Sequence, residues 1–284
     1  LLALWAGARA YPPIRHPIDS FFLAQALFAE GEKSLLAQRS LSPSRSEAET
    51  AEGSLDLYLP EEAAGAVRPR GCILLAHGMT DLGRRDPRLA AFARNLARLG
   101  FAAAVPGLAG MRRFRPERKD IDRIATGFAW LDKNYGRGGR CGVFAFSFAA
   151  GPALMAAARP DARDRVGYLV VFGPYFDLRE VLRHMTTGGR SGEPAMPGGP
   201  PLRAGKWIFL RQNPDLLGLA VYEAEAAEIA RRKLIDENAS LVPFRTRLPS
   251  PARRVLGLME NRDPGRVDEL YKAQDPALRE RLGA

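Results

Sequence analysis

Histidine is scarce in this chain: His16, His77 and His184 are the three in 284 residues, so chemistry that needs an imidazole has few places to find one. Cysteine is scarcer still. Cys72 and Cys141 supply neither a disulfide framework nor metal-ligand spacing, and no metal or cofactor is implied. Each opens a predicted strand, where it reads as a small buried hydrophobe; only if the two strands are neighbours do the sulfurs come close. Neither strand-to-helix turn contains G-x-G-x-x-G, which excludes the dinucleotide fingerprint, and no long repeat is present. The formal charge of +10 is spread along the chain. Without a basic stripe with interleaved aromatics or a recognisable module, nucleic acid is excluded as a partner, and the charge suits a surface of anionic lipid better. Leu1 to Ala8 is apolar but falls short of the roughly 20 residues that span a bilayer. It reads either as the end of a signal peptide or N-terminal membrane anchor, in a fragment without an initiator Met, or as an ordinary helix start.

What the chain does have is a 46% hydrophobic content, enough for one large α/β domain or a core with a smaller companion. From Pro17 to Gln38, the residues Phe21, Phe22, Leu27, Phe28, Leu35 and Leu36 recur at helical spacing and predict an amphipathic arm. Ser40 to Glu52, rich in Ser, Glu and Arg, reads as a loop, and the alternation of Ser54 to Pro60 predicts a half-buried strand. Gly71 to Ala76, Phe101 to Val105, Val143 to Phe146 and Val166 to Phe172 are short apolar runs that predict strands buried on both faces. Helices separate them. Asp86-Pro87 supplies an N-cap and a first-turn proline for a helix closed by Gly100, with Leu89, Phe92, Leu96 and Leu99 facing inward. Arg118 to Tyr135 carries Ile121, Ile124, Phe128 and Leu131 on one side, and Ala149 to Ala158 is helical too. This alternation predicts a mostly parallel, doubly wound α/β sheet with ligands beyond the carboxyl ends of its strands. Gly188 to Gly205 reads as a linker. Helices follow at Lys206 to Asn213, at Leu216 to Asn238 and in short pieces over Pro251 to Leu282, two of them opening at Asp263-Pro264 and Asp275-Pro276. The expected organisation is an arm over 1–52, an α/β core over 53–187, and a linker with a helical region over 188–284.

Residues 141–152, Cys-Gly-Val-Phe-Ala-Phe-Ser-Phe-Ala-Ala-Gly-Pro, read as a strand, a sharp turn and a helix, with Ser147 at the turn. A nucleophile elbow of the form G-x-S-x-G needs small residues two positions to either side of its serine, and Ala145 and Ala149 stand there. Upstream, the strand ending at Ala76 runs into His77-Gly78-Met79-Thr80. With these two motifs the chain resembles the α/β-hydrolase family over about Ser54 to Asp177. The resemblance implies a serine hydrolase of carboxylic esters or related acyl compounds, with a small-molecule acyl substrate. Ser147 is then the nucleophile, the N–H groups of Phe148 and Met79 form the oxyanion hole, and His77-Gly78 shapes the turn. Gly107 stands where relatives often carry an aspartate.

In the resembled family the order is Ser, then Asp or Glu, then His, with acid and base after late strands, and a helical lid is commonly inserted. No such strands are predicted between Lys206 and Ala284. The expectation is therefore an α/β-hydrolase fold lacking its C-terminal strands, with an open sheet edge, and with the histidine and acid beyond Ala284. Asp177 has two readings, catalytic acid or N-cap of the helix that begins at Leu178, the helix that also holds His184. Trp207, Phe209, Leu216, Leu217 and Leu219 either line an acyl pocket or form lid core. The rival to catalysis is a scaffold of the same fold that only binds.

Overall fold

The computed structural model describes residues 12–28, 34–61, 68–136, 141–175, 177–189 and 200–283. The chain forms two compact units, Leu1–Pro174 and Tyr175–Ala284.

The first unit is built on six strands: β1 (Ser44–Thr50), β2 (Gly53–Leu59), β3 (Cys72–Ala76), β4 (Ala102–Pro106), β5 (Cys141–Phe146) and β6 (Val166–Phe172). They pair in the order β1-β2-β4-β3-β5-β6. β1 and β2 run antiparallel to their neighbours, while β4, β3, β5 and β6 are mutually parallel. Period-two alternation sorts each strand between two cores. Leu55, Leu57, Cys72, Leu74, Ala102 and Ala104 meet Ile124, Phe128 and Leu131 of the helix Arg118–Tyr135 and Ala153 of the helix Ala150–Ala157. Tyr58, Ile73, Leu75, Ala103 and Val105 meet Leu89, Phe92 and Leu96 of the helix Pro87–Arg98 on the opposite face. Burial on both faces accounts for the continuous apolar runs of β3, β4 and most of β5, whereas β6, expected to be buried likewise, is half-buried or exposed because β5 is its one strand neighbour among the described residues. The helix Pro87–Arg98 starts at the cap expected for it, where the Asp86 side chain accepts from the Arg88 N–H; the helix Arg118–Tyr135 opens on a contact not read in the sequence, the Glu117 N–H donating to the Asp120 carboxylate at 3.1 Å.

Three further expectations are corrected. Ser44–Thr50, read as loop, is strand β1. It lies at the sheet edge, held by backbone pairing from Ser44 opposite Leu59 to Thr50 opposite Gly53, with its side chains mostly exposed. Such a strand needs no apolar alternation, so none marks it. Cys72 and Cys141, read as two separate hydrophobes, lie side by side across the β3–β5 pair with Cα atoms 4.5 Å apart. A disulfide joins them, and both are fully buried. The helix expected from Lys206 already begins at Pro200, inside the stretch read as linker, and runs to Gln212; residues 190–199 of that stretch lie outside the described residues.

The arm is helical at Pro12–Phe28 and again at Leu35–Gln38, where Phe22 and Leu23 pack beside Leu36 and Leu99. Leu1 to Ala8 lies outside the described residues. Among the described residues no helix is long and apolar enough to cross a membrane. At the other end of the sheet, β6 pairs with β5 alone, and its residues are half-buried or exposed.

Among the described residues of the second unit all regular structure is helical, with Leu178–Thr187, Pro200–Gln212, Glu223–Ile235, Ser250–Glu260, Val267–Lys272 and Pro276–Gly283 as its longer helices. Its own core gathers Leu182, Trp207, Leu210, Leu217, Ile229, Phe244, Leu256, Met259, Val267 and Leu278. Trp207, Leu217 and Leu219 are thus core residues of this unit, with Phe209 packed at its margin. Asp263 and Asp275 cap as expected, accepting from the Gly265 and Ala277 N–H groups.

Candidate active site

Strand β5 ends at Phe146, and the next residue breaks its geometry. Ser147 has φ +53°, a left-handed backbone that a residue with a side chain adopts only at a cost of about 1–3 kcal/mol. A 3-10 turn over Ser147–Ala149 then leads into the helix Ala150–Ala157. Ala145 and Ala149, two residues to either side of the bend, are fully buried. Ser147 itself is exposed.

The loop after β3 packs against this bend. A Cβ placed on Gly78 would stand 2.8 Å from the Phe146 carbonyl oxygen, a distance that real Cβ atoms do not tolerate, so only glycine lets the loop come this close. His77 anchors the loop from below. It is 2% exposed, and its Nδ1 lies 2.9 Å from the Gly78 carbonyl oxygen. That oxygen can only accept, so Nδ1 carries the proton, leaving Nε2 to accept the Leu108 N–H at 3.4 Å. Burial pushes the imidazole below its ordinary pKa and keeps it neutral, an effect the Gly78 hydrogen bond only partly offsets. The loop ends at Asp86, whose carboxylate takes the Arg88 N–H at 2.9 Å, the Arg88 guanidinium at 2.8 Å and the Thr80 hydroxyl at 3.4 Å. The Arg88 guanidinium holds that carboxyl below the usual carboxylate range.

Loop and bend face a cavity of about 500 Å³, lined by His77, Gly78, Met79, Thr80, Asp86, Arg88, Leu89, Phe92, Phe146, Ser147 and Phe172. Its apolar wall is aromatic. Phe172 stacks on Phe146 with centroids 5.0 Å apart and planes 7° apart, and Phe92 meets Phe146 edge-on at 5.9 Å.

The structure therefore brings Ser147, His77, Gly78 and Met79 into one cavity, with Phe148 the next residue in the turn. Asp177 belongs to the second unit. Its side chain accepts from the Arg179 N–H at 2.8 Å at the start of the helix Leu178–Thr187, and the Arg179 guanidinium lies 2.8 Å away and lowers its pKa. His184 is exposed on that same helix, and His16 is exposed on the N-terminal arm. The aromatic wall went unread in the sequence because Phe92, Phe146 and Phe172 meet only through strand order. Thr80 and Asp86 were visible only as turn and cap residues. Among the described residues, no group of three His, Cys, Asp or Glu side chains could hold a metal ion.

A mostly parallel sheet with helices on both faces, a strained serine bend after a central strand, and a glycine loop after β3 pressed against it make this the α/β-hydrolase fold. No family model matches the chain, and no curated protein matches it. Among solved structures it is similar to a hypothetical protein from Pseudomonas aeruginosa at 18% identity, over 66% of this chain and 56% of that one, with a TM-score of 0.41. The esterase Est22 is similar at 14% identity, over 62% and 57% of the two chains, with a TM-score of 0.40. A hyperthermophilic esterase from the archaeon Pyrobaculum calidifontis is similar at 19% identity, over 61% and 56%, with a TM-score of 0.38. This chain spans little more than half the length of each.

Proposed function

We propose that this chain is a serine hydrolase of carboxylic esters or related acyl compounds, acting through an acyl-enzyme on Ser147. The observation that carries the reading is the φ of +53° at an exposed serine that borders a cavity. Backbone strain at an exposed polar residue is a mark of functional sites, where the conformation presents a side chain to a ligand. Two features support it: Gly78 packs against the bend while Met79 lines the same cavity, and the aromatic wall suits an apolar acyl or alcohol group.

In the proposed cycle the Ser147 Oγ attacks the acyl carbonyl carbon while a base takes its proton. Negative charge moves to the carbonyl oxygen and is met by the N–H groups of Met79 and Phe148, each worth about 3 kcal/mol. The carbon–oxygen bond to the alcohol then breaks, the base returns its proton to the leaving oxygen, and water hydrolyses the acyl-serine with the same base. His77 does not serve as that base, because both of its ring nitrogens hold the loop. His16 and His184 are the chain's remaining imidazoles. Asp177 is read as a helix cap, since its carboxylate is already engaged by Arg179.

The test is covalent labelling of the protein with a fluorophosphonate, located by peptide mass spectrometry. Label on Ser147, lost in Ser147→Ala, supports the reading. Unchanged labelling in that variant defeats it and favours a binding scaffold. Retained labelling in both His16→Ala and His184→Ala would mean that neither takes the proton.

A further inference from the structure

The helical unit contains a second, smaller cavity of about 230 Å³, lined by Lys206, Trp207, Lys233, Glu237, Glu260 and Arg262. Both of its carboxylates are engaged by cations. Glu260 takes Lys233 at 3.3 Å and Arg245 at 2.5 Å, and Glu237 takes Arg262 at 3.3 Å. Lys206 is left over. It is 2% exposed, and among the described residues its ammonium meets no carboxylate; its hydrogen bond runs to the Thr186 carbonyl at 3.3 Å. The Lys206 and Lys233 nitrogens both lie near the Trp207 ring, 5.4 and 5.7 Å from its centroid. The indole N–H of Trp207 is buried with no hydrogen-bond partner among the described residues.

A buried ammonium without a counter-charge and a buried N–H without an acceptor are both costly, and both belong to residues that line the same cavity. One species removes both costs: an acceptor that carries one negative charge. We infer that this cavity is a binding site for a small monocarboxylate, held by the Lys206 ammonium and the Trp207 N–H. Its volume exceeds that of a single water, roughly 30 Å³, several times over, which leaves room for a carboxylate of a few carbons. Among the described residues Lys206 is the lining cation that meets no carboxylate, so the site offers one unpaired ammonium, which suits a single carboxylate. Without a ligand, burial lowers Lys206 to about 8; Lys233 and Arg262 push the same way, and Glu237 and Glu260 oppose them. Protonated Lys206 is the binding form, so affinity falls as pH rises past that value.

The full 284-residue chain is titrated with sodium acetate against sodium chloride at constant ionic strength, following Tm and tryptophan emission at pH 7 and pH 9.5. The expected result is a saturable, acetate-specific rise in Tm at pH 7 that is much reduced at pH 9.5 and absent in Lys206→Met. Trp207→Phe keeps every charge and loses one donor, so its acetate affinity, read from Tm, falls about three- to tenfold. No saturable response of the wild type at pH 7, an equal response in Lys206→Met, or tighter binding of phosphate than of acetate each overturns the assignment. The readout does not depend on Ser147, so it stands apart from the fate of the hydrolase reading.

Discussion

Gly78 leaves no room for a side chain beside Ser147: a methyl group on the Gly78 Cα would lie 3.1 Å from the Ser147 Cβ as well as against the Phe146 carbonyl. Gly78→Ala must therefore move the loop off the bend. The expected cost is about 1–3 kcal/mol of stability, with fluorophosphonate labelling at Ser147 slowed at least about tenfold, since a displaced Met79 N–H no longer meets the oxyanion. Labelling rate and urea midpoint measured together separate the two effects, and an unchanged labelling rate would remove Met79 from the site.

The left-handed backbone of Ser147 gives a prediction of opposite sign. Glycine has no Cβ to strain at φ +53°, so Ser147→Gly should stabilise the fold by about 1 kcal/mol while abolishing labelling. Ser147→Ala should abolish labelling without that gain. Chemical denaturation of the two variants provides the comparison.

His77 ties stability to pH. Its folded pKa is depressed, so the stabilising contribution is fully present above the ordinary histidine value of about 6.5. Below that value the unfolded chain takes up a proton that the folded chain refuses, and the contribution is lost as pH falls through the lower folded value. His77→Gln can donate through one atom and accept through the other, and should flatten this limb. Denaturation midpoints between pH 7 and pH 4 for the two proteins test it.

Asp177→Asn preserves a capping acceptor, and Asp177→Ala does not. As a cap, the asparagine variant should keep wild-type labelling and nearly wild-type stability, and the alanine variant should lose about 1 kcal/mol. A collapse of turnover in Asp177→Asn, with stability intact, would return Asp177 to the role of catalytic acid.

The Cys72–Cys141 bond closes a loop of 69 residues. Its removal in the Cys72→Ala, Cys141→Ala double variant should lower stability by about 4 kcal/mol on the loop-entropy estimate. Thiol titration of the denatured protein should find no free sulfhydryl before reduction and two after it. Two before reduction would refute the bond.

How legible each feature was depended on the reach of the interaction behind it. The Ser147 elbow, the Asp86 cap and the four parallel strands are set by neighbours a few residues apart, and so they could be read directly. β1 could not, because an exposed edge strand is held by its backbone and Arg45, Glu47 and Glu49 look like loop residues. The Cys72–Cys141 contact and the Phe146–Phe172 stack depend on which strands lie side by side, a property of the whole sheet. Lys206 was visible only as a helix start, since nothing local signals that an ammonium will be buried without a counter-charge.

The covalent link between β3 and β5 also joins the strand that leads into the Gly78 loop to the strand that ends at Ser147. Electron supply thus becomes a variable of this molecule. In surroundings that keep thiols reduced, the hydrogen-bonded ladder alone holds the two halves of the proposed catalytic apparatus in step. Under oxidising conditions their alignment survives excursions that would otherwise let the halves drift apart.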